Sequence, residues 1–310
     1  MRPRHEPVLL AEALAFLRRG AGLYLDATLG DGGHAEALLD ALPDARLLGC
    51  DRDPEALAFA RERLARFGGR VTVAHATFRE VPAAHDAAGG EPFQGALLDL
   101  GLSSRQIDDP ARGMSFQSDG PLDLRMDADR GTPASERLKS VEEETLAQVL
   151  RAHGDLRQAG RLARALVAAA REGRLETTQE LVRLLDRALG GRPHPRRYAQ
   201  AFQALRIWIN DEATELEAAL TWLPVAMGEG GVVVTIAYHS GEDRRIKQAL
   251  RGAPPTLPPR RRPPGSVETE VRGPWEELTR RVVSPTQAEC IRNPRARSAR
   301  LRAFRRRPSS

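Results

Sequence analysis

A regular alternation of apolar runs and helical patterns near the start of the chain constrains the fold more than any other feature. Four runs have the character of strands, at residues 23–29, 45–53, 70–78 and 95–104. Amphipathic helical patterns follow the first two runs. Strands that alternate with helices predict a parallel sheet covered by helices on both faces, and continuous apolar runs predict central, buried strands.

A long polar segment and several helices interrupt this α/β pattern. Residues 105–135 are rich in Asp, Arg, Gly and Pro, and amphipathic helical patterns continue from there to about Trp222. One of these patterns runs unbroken from Tyr198 to Trp222, which predicts a single long helix. The sequence therefore predicts that a helical insertion interrupts the α/β domain.

The strand signal returns after the insertion. Residues 232–240 form a strong apolar strand pattern, and Ser240 has the spacing to Asp243 that would cap the next helix. Residues 253–265 are rich in Pro and Arg and are expected to form a surface loop. Residues 279–289 are expected to add one more short strand.

These patterns predict two domains, one of which is discontinuous. The α/β domain is expected at residues 1–107 and 213–310, and the helical insertion at 108–212. No apolar run approaches the roughly 20 residues that a membrane-spanning helix requires. Glu12 interrupts the first apolar stretch, which has no cleavage site for a signal peptide. The two cysteines form no CxxC pair, so they indicate neither a disulfide framework nor a zinc site and fit a reducing cytoplasm.

The segment 26-DATLGDGGH-34 joins the first strand to a helix, and its sequence restricts what the turn can bind. It lacks the G-x-G-x-x-G spacing of a dinucleotide turn and the Lys-Ser/Thr of a P-loop. Asp26 would repel a pyrophosphate and suits a cationic group. Asp51 ends the second strand, where an acid can accept both ribose hydroxyls of an adenosine. The pattern favours a cationic, phosphate-free nucleoside such as S-adenosylmethionine, which Gly32 and Gly33 would allow to approach the backbone closely.

Each of these positions also has a purely structural interpretation. Asp26 and Asp51 could cap a turn or a helix, and His34 could be an ordinary histidine of a first helical turn. Phe78, after the third strand, could lie beside an adenine or belong to the core. Asp99 ends the fourth strand, and open α/β sheets bind ligands at the carboxyl ends of their strands. The convergence of these features on one edge favours a ligand site.

Basic residues are unevenly distributed along the chain. The net charge is +5, Lys occurs only twice among 47 basic residues, and residues 291–310 include eight Arg and no acid. Arginine suits phosphate binding because its planar guanidinium offers several donors. This C-terminal segment is expected to be either a solvated tail or a contact for nucleic acid.

The loop 99-DLGLSSRQIDDPARGMSFQSDGPLDLRMD-127 is longer than a simple connection needs, and long loops in compact domains are usually functional. With this loop the chain closely resembles the RsmH family, also called MraW. The resemblance covers essentially the whole chain, through HEPVLLAEAL, DATLGDGGH, DRDPEA, FQALRIWIND, YHSGEDRRIK and NPRARSARLR. Members of that family are S-adenosylmethionine-dependent methyltransferases that act on the exocyclic N4 of a cytidine in the decoding region of bacterial 16S ribosomal RNA.

The resemblance implies a Rossmann-like class I methyltransferase fold, in which an all-helical domain that recognises RNA is inserted into a doubly wound α/β sheet. It implies S-adenosylmethionine as the cofactor and 16S ribosomal RNA, within the small ribosomal subunit, as the partner. It also implies a set of cofactor contacts, namely Gly32, Gly33, His34, Asp51, Phe78, Asp99 and Gln106.

The chain departs from the family pattern in two places. The family usually has a hydrophobic residue after the His-Ser of its late strand, where this chain has Gly241. The His-Pro segment before Phe-Gln is longer by two residues here, in 194-HPRRYAQAFQ-203, and lacks an Arg in register. The second departure bears on RNA contacts at that helix start, and neither involves the cofactor residues.

Methyl transfer to an amino group requires a proton acceptor and good alignment. The lone pair of a cytosine amino nitrogen is delocalised, so an acceptor for an amino proton would localise it, and orientation alone contributes several powers of ten. Because the sulfonium loses its charge, no metal is needed. The candidate acceptors are Asp99, the hydroxyls that follow it, such as Ser103, and His239, which could instead be a structural histidine bonded to the backbone. The predicted phosphate contacts are Arg295, Arg297, Arg300 and Arg302.

Two alternatives accompany this prediction. A nicotinamide-dependent oxidoreductase would require the G-x-G-x-x-G turn, which this chain lacks. A non-catalytic RNA-binding or assembly factor on a methyltransferase fold is compatible with the many arginines. The intact GGH turn, together with Asp51, Asp99 and Gln106, favours an enzyme.

Overall fold

The computed structural model describes residues 7–189, 194–251 and 273–308. The segment 253–265, expected to be a surface loop, lies outside the described residues. The chain divides into two compact units. The first comprises the chain up to Gly101 and from Glu215 onward, and the second comprises Leu102–Thr214. The second unit is slightly longer at both ends than the predicted insertion.

Strands of the first unit form one mixed sheet. Within the described residues the strands are β1 Gly22–Asp26, β2 Ala45–Asp51, β3 Val71–His75, β4 Phe93–Asp99, β5 Met227–Ala237, β6 Trp275–Glu277 and β7 Arg300–Arg306. Their order is β3-β2-β1-β4-β5-β7-β6. Strands β1 to β5 pair in parallel, whereas β7 is antiparallel to both of its neighbours.

Helices separate the strands and make up most of the second unit. In chain order they are α1 Leu10–Leu17, α2 Gly33–Ala41, α3 Pro54–Leu64, α4 Val81–Ala87, α5 Ser104–Asp108, α6 Ala134–Ser140, α7 Glu143–Gly154, α8 Ala159–Arg171, α9 Thr178–Leu189, α10 Pro195–Ile209, α11 Glu212–Ala226, α12 Ser240–Arg251 and α13 Gln287–Arg292. Among the described helices, none has the length and apolar character needed to cross a membrane.

Two apolar cores cover the two faces of the sheet, which confirms the predicted doubly wound α/β architecture. On β4, Leu97 belongs to one core and the next residue, Leu98, to the other, as the two-residue period of a strand requires. Helices α2 and α3 contribute to the first core through Leu38 and Leu57, and α11 contributes to the second through Leu220. Strands buried on both faces explain the continuous apolar runs in the sequence.

The chain reverses its direction of progress across the sheet between β1 and β4. Strands β1, β2 and β3 lie side by side in that order, and β4 returns to the free side of β1. A crevice at the carboxyl ends of the strands opens at such a switch point. Asp26 and Asp99, the last residues of β1 and β4, therefore lie at the edge where ligands bind in open α/β sheets.

The second unit has an apolar core of its own, formed by α6 to α10 and part of the polar loop. Leu122 and Leu124 of that loop are fully buried in this core. The Leu122 N–H donates to the Glu176 carbonyl at 2.8 Å. The buried Arg112 guanidinium donates to the Met126 carbonyl. The loop that carries the family-like sequence is thus held against the helical core of its own unit.

The prediction of a single helix from Tyr198 to Trp222 is wrong, because α10 ends at Ile209 and α11 begins at Glu212. Asn210 is 4% exposed, and its amide donates to the Leu124 carbonyl and accepts from the Met126 N–H, both at 2.7 Å. Asp211 then adopts a left-handed conformation with φ 53°. The Asn210 side chain bonds the backbone of a loop that is distant in sequence, and α10 ends there although the apolar pattern of the sequence continues.

Two expectations for the C-terminal part of the first unit are also corrected. Residues 279–289 were expected to form a strand, but they contain only a single bridge, between Val283 and Leu301, and then the start of α13. Thr286 caps that helix by accepting from the Glu289 N–H at 3.1 Å. Residues 300–306 are strand β7 inside the sheet, not part of a solvated tail.

Candidate functional site

Three carboxylates end neighbouring strands of the first unit. Asp26, Asp51 and Asp99 are the last residues of β1, β2 and β4. Burial, with a smaller contribution from the neighbouring carboxylates of Asp99 and Asp51, raises the pKa of Asp26 to about 7. Burial likewise raises the pKa of Asp51, to about 6. Within the described residues no Arg or Lys forms an ion pair with any of the three, so the cluster carries uncompensated negative charge when it ionises.

Asp51 holds the glycine turn in place. Its Oδ2 accepts from the Gly30 N–H at 2.7 Å, and its Oδ1 accepts from the Asp53 N–H at 2.9 Å. Asp51 therefore caps the turn, as the structural interpretation predicted. A carboxylate oxygen can accept more than one hydrogen bond, so both oxygens keep capacity for a ligand hydroxyl.

Thr28 links the ends of β1 and β4. Its Oγ1 accepts from the Asp99 N–H at 2.7 Å, and its N–H donates to Asp26 Oδ1 at 3.2 Å. Thr28 was not among the predicted site residues, although it lies within the DATLGDGGH segment. A hydroxyl two residues after a strand-end acid was the available signal, because such side chains often bond nearby backbone groups.

Two glycines of the turn are required for different reasons. Gly32 is the N-cap of α2 and has φ 80°, a left-handed conformation that residues with a Cβ rarely adopt. A Cβ on Gly33 would lie 2.5 Å from Cγ of Pro7, closer than side-chain atoms tolerate. The turn and the segment before α1 therefore pack against each other only because Gly33 has no side chain.

His34 is buried at the start of α2, and its ring has a defined tautomer. Its Nε2 lies 3.1 Å from the Val8 carbonyl, which can only accept, so Nε2 carries the proton. Burial lowers the pKa of His34, which keeps the ring neutral. Nδ1 is then unprotonated, and it lies 3.9 Å from Oδ2 of Asp99.

Asp99 is the carboxylate with the most open coordination. Oδ1 of Asp99 has no hydrogen-bond partner among the described residues. Burial raises the pKa of Asp99, and the nearby Tyr238 hydroxyl and Gly101 N–H offset this in part. A buried acceptor without a partner is costly, which indicates that Oδ1 is arranged for a ligand.

His239 follows β5 and has mainly a structural role. Its Nδ1 accepts from the N–H groups of Gly241 and Glu242, at 3.2 and 3.3 Å. Its Nε2 lies 3.1 Å from Oε1 of Glu242. His239, and not Ser240 as predicted, therefore caps α12. The structural alternative therefore accounts for Nδ1, whereas Nε2 lies near Glu242 without a hydrogen bond among the described residues.

Ser103 and Gln106 belong to the second unit and form a capping box at α5. The Gln106 N–H donates to Ser103 Oγ at 3.2 Å, and Oε1 of Gln106 accepts from the Ser103 N–H at 3.0 Å. Phe78 lies in a turn after β3, where it is half-buried against the second core of the sheet. Gln106 and Phe78 were both predicted to contact the cofactor, and that contact stays a prediction beside the local contacts described here.

The four predicted phosphate contacts do not share one environment. Arg295, Arg297 and Arg300 are exposed. Arg302 is 7% exposed, and its Nε donates to Oδ1 of Asp243 at 2.6 Å. The expectation that Arg302 contacts phosphate conflicts with this burial, because residues 301–304 of β7 are all buried.

The residues at the strand ends fit a cationic nucleoside without phosphate. Three clustered carboxylates favour positive charge, and Asp99 Oδ1 offers an acceptor without a partner among the described residues. No group of three or more His, Cys, Asp or Glu in the described residues has the arrangement of a metal site. The donor set therefore fits S-adenosylmethionine, whose sulfonium and ammonium are both cationic.

Comparisons with known proteins identify the family of the chain. A family profile described as the MraW methylase family matches residues 2–307. A relative from Sorangium cellulosum, named ribosomal RNA small subunit methyltransferase H, is 45% identical, over 98% of this chain and 92% of its own length. Relatives of the same name from Oleidesulfovibrio alaskensis and Thermomicrobium roseum are 44% and 42% identical, each over 96% of this chain and over 94% and 92% of their own lengths. The chain therefore belongs to the MraW methylase family of S-adenosylmethionine-dependent methyltransferases.

Proposed function

We propose that this protein transfers the methyl group of S-adenosylmethionine to the exocyclic N4 of one cytidine in the decoding region of 16S ribosomal RNA. The names of the relatives support the small-subunit RNA as substrate. The observation that carries the proposal is the cluster of strand-end carboxylates, in which Asp99 has an oxygen without a partner among the described residues. An acid at this position can both face a cationic methyl donor and accept a proton from an amino group.

The cofactor contacts follow from the chemistry of each side chain. Gly32 and Gly33 let the backbone of the turn approach a ligand closely. Asp51 offers acceptors for ribose hydroxyls, and Phe78 offers an aromatic face for an adenine. Gln106 and His34 complete the proposed set. The strand-end acids also favour S-adenosylmethionine over a dinucleotide, because carboxylates repel a pyrophosphate.

Asp99 is the proposed proton acceptor. When bound, S-adenosylmethionine supplies a methyl group activated by a positively charged sulfur. As the nitrogen–carbon bond would form, the methyl–sulfur bond would break with its electron pair remaining on sulfur, and an amino proton would pass to a carboxylate oxygen of Asp99. The raised pKa of Asp99 makes it a stronger base than an exposed aspartate, which favours this role near neutral pH. His239 and Ser103 are weaker candidates. The His239 ring caps α12, and the Ser103 hydroxyl caps α5.

Substrate recognition is assigned to the helical unit and to exposed arginines of the first unit. A cytosine amino group lies within stacked RNA, so the base has to leave its stack to be methylated. Arg295, Arg297 and Arg300 are exposed and can meet phosphates, whereas Arg302 is committed to Asp243. We infer that the partner is 16S ribosomal RNA within the small ribosomal subunit.

Transfer of a labelled methyl group tests the proposal. Small subunits from cells that lack this protein are incubated with the purified protein and S-adenosylmethionine labelled in its methyl group. One labelled cytidine in 16S RNA is expected, identified by nuclease digestion and mass spectrometry. Binding of the subunit without transfer would instead support the alternative of a non-catalytic assembly factor. Label at another base would refute the assignment of cytosine N4.

A further inference from the structure

Residues 7–9, the segment before α1, lie against the cofactor turn and are tied to a distant helix. Pro7 packs on Gly33, and the Val8 carbonyl accepts from Nε2 of His34. The Leu9 N–H donates to Oε1 of Glu289 in α13 at 2.8 Å, across 280 residues of sequence. We propose that Glu289 is a positioning residue for the cofactor site, because it fixes the segment that orients His34.

Leu9 needs this outside support. It is the N-cap of α1 with φ 53° and ψ 36°, a left-handed conformation that is uncommon for a leucine. Its side chain is fully buried, and its helix begins without a side-chain cap. The Glu289 carboxylate is the acceptor that satisfies the Leu9 N–H, so its loss leaves a strained residue with an unsatisfied donor.

The contacts continue from Leu9 through His34 to Asp99, at the carboxyl end of β4. With Leu9 held, the preceding carbonyl, of Val8, faces His34 and sets its tautomer. That tautomer presents the unprotonated Nδ1 toward Oδ2 of Asp99 at 3.9 Å. If the segment were free to turn, His34 could exchange tautomers and donate to Asp99 instead.

The position of Glu289 is itself well defined. Its N–H donates to Oγ1 of Thr286, the cap of α13, and the Asn293 N–H donates to the Glu289 carbonyl. The short helix leads into β7, which pairs with β5 in the centre of the sheet. The backbone that carries this carboxylate is thus bonded within α13 and leads directly into the sheet.

The test uses the full chain and compares three variants. Glu289→Ala removes the acceptor, Glu289→Gln keeps an amide oxygen in its place, and Glu91→Ala removes a surface carboxylate paired with Arg46. Long-range nitrogen–proton NMR spectra of the cofactor-free protein report the His34 tautomer, with the His34→Gln spectrum identifying its signals. Calorimetry measures the affinity for S-adenosylmethionine.

In the unmodified protein we expect His34 to be protonated at Nε2 alone. Glu289→Ala is expected to give mixed tautomers and an affinity about tenfold weaker, equivalent to about 1.4 kcal/mol. Glu289→Gln and Glu91→Ala are expected to retain both properties. An unchanged tautomer and affinity in Glu289→Ala would overturn the inference, as would equal losses in Glu289→Ala and Glu289→Gln.

Two further measurements separate this inference from the proposed cofactor site, on which it rests. If Glu289→Ala does not fold, Glu289→Asp keeps the charge but shortens its reach, and it is expected to shift the tautomer and the affinity in the same direction. Wild-type values in Glu289→Asp would then overturn the inference. If His34→Gln binds S-adenosylmethionine normally, the proposed cofactor contact is wrong, while the tautomer in Glu289→Ala still tests the positioning role.

Discussion

Asp99, which is partly buried, and Asp243, which is buried, are carboxylates of the same unit with opposite surroundings. Asp99 is clustered with two other acids, and burial raises its pKa. Asp243 is ion-paired with Arg302 and Lys247, and these cations lower its pKa although burial alone would raise it. An acid surrounded by cations stabilises the fold, whereas an acid left without them is available to a ligand. The difference separates a structural carboxylate from the proposed functional one.

The largest effect is expected for Asp99→Asn. The amide preserves the shape of the side chain but cannot accept the amino proton, so kcat should fall by about a hundredfold to ten-thousandfold. The stability should not fall, because a carboxylate whose pKa is raised in the folded state lowers the stability at pH values above its ordinary pKa, and the amide removes that cost. Single-turnover transfer of labelled methyl and urea unfolding measure the two effects. Turnover near the wild-type rate would remove Asp99 from the mechanism.

Arg302→Met is expected to show the reverse behaviour. Removal of one partner of a buried ion pair costs about 3 kcal/mol, at the low end of the usual range because Lys247 still lies 3.3 Å from Asp243. Urea unfolding should show this loss, while the folded fraction should keep its turnover and its salt dependence of RNA binding. A large loss of RNA affinity with unchanged stability would restore Arg302 as a phosphate contact.

The acid cluster should make cofactor binding depend on pH. The pKa of Asp26 is about 7 in the folded protein against 3.8 for the free side chain. The folded state therefore holds an extra proton between these values, and Asp26 lowers stability progressively as the pH rises through this range. A cationic ligand favours the ionised form, so its affinity should rise with pH, by at most about tenfold per pH unit for each proton released.

Calorimetry in buffers of different ionisation enthalpy measures this proton release directly. Asp26→Asn should remove the part of the pH dependence near neutrality and should be more stable than the wild type at pH values above about 7. A pH-independent affinity in the unmodified protein would show that the cluster does not ionise when the cofactor binds.

The smallest effect is expected from the exposed arginines. Replacement of Arg295, Arg297 and Arg300 by Gln should weaken RNA binding and reduce the slope of log affinity against log salt by about 0.7–0.9 for each phosphate that the protein no longer neutralises. Arg46→Gln, at an exposed ion pair in the same unit, is the control. A slope equal to that of the control would place the phosphate-binding residues elsewhere.

The sequence predicted the strand-end acids because their placement depends only on local order. Asp26, Asp51 and Asp99 each follow an apolar run, and parallel strands bring their carboxyl ends to one edge. The doubly wound sheet followed from the same alternation. These features needed no knowledge of long-range contacts.

Features that depend on distant partners could not be predicted. The break at Asn210 arises from its bonds to Leu124 and Met126, and the bond of Glu289 to Leu9 joins opposite ends of the chain. Arg300 and Arg302 alternate with apolar residues at the start of β7. The large number of arginines near the end of the sequence nevertheless suggested a solvated tail or a nucleic-acid contact. Charge composition alone does not distinguish a buried, paired arginine from an exposed one.

The central claim is that the strand-end acids serve methyl transfer to one cytidine. Mass spectrometry of 16S RNA tests it most directly, in cells that lack this protein and carry either the wild-type chain or the Asp99→Asn variant. We expect one cytidine of the decoding region to lose its N4 methyl group in the deletion, to regain it with the wild-type chain and to remain unmethylated with Asp99→Asn. Full methylation in the deletion, or equal restoration by both chains, would contradict the account.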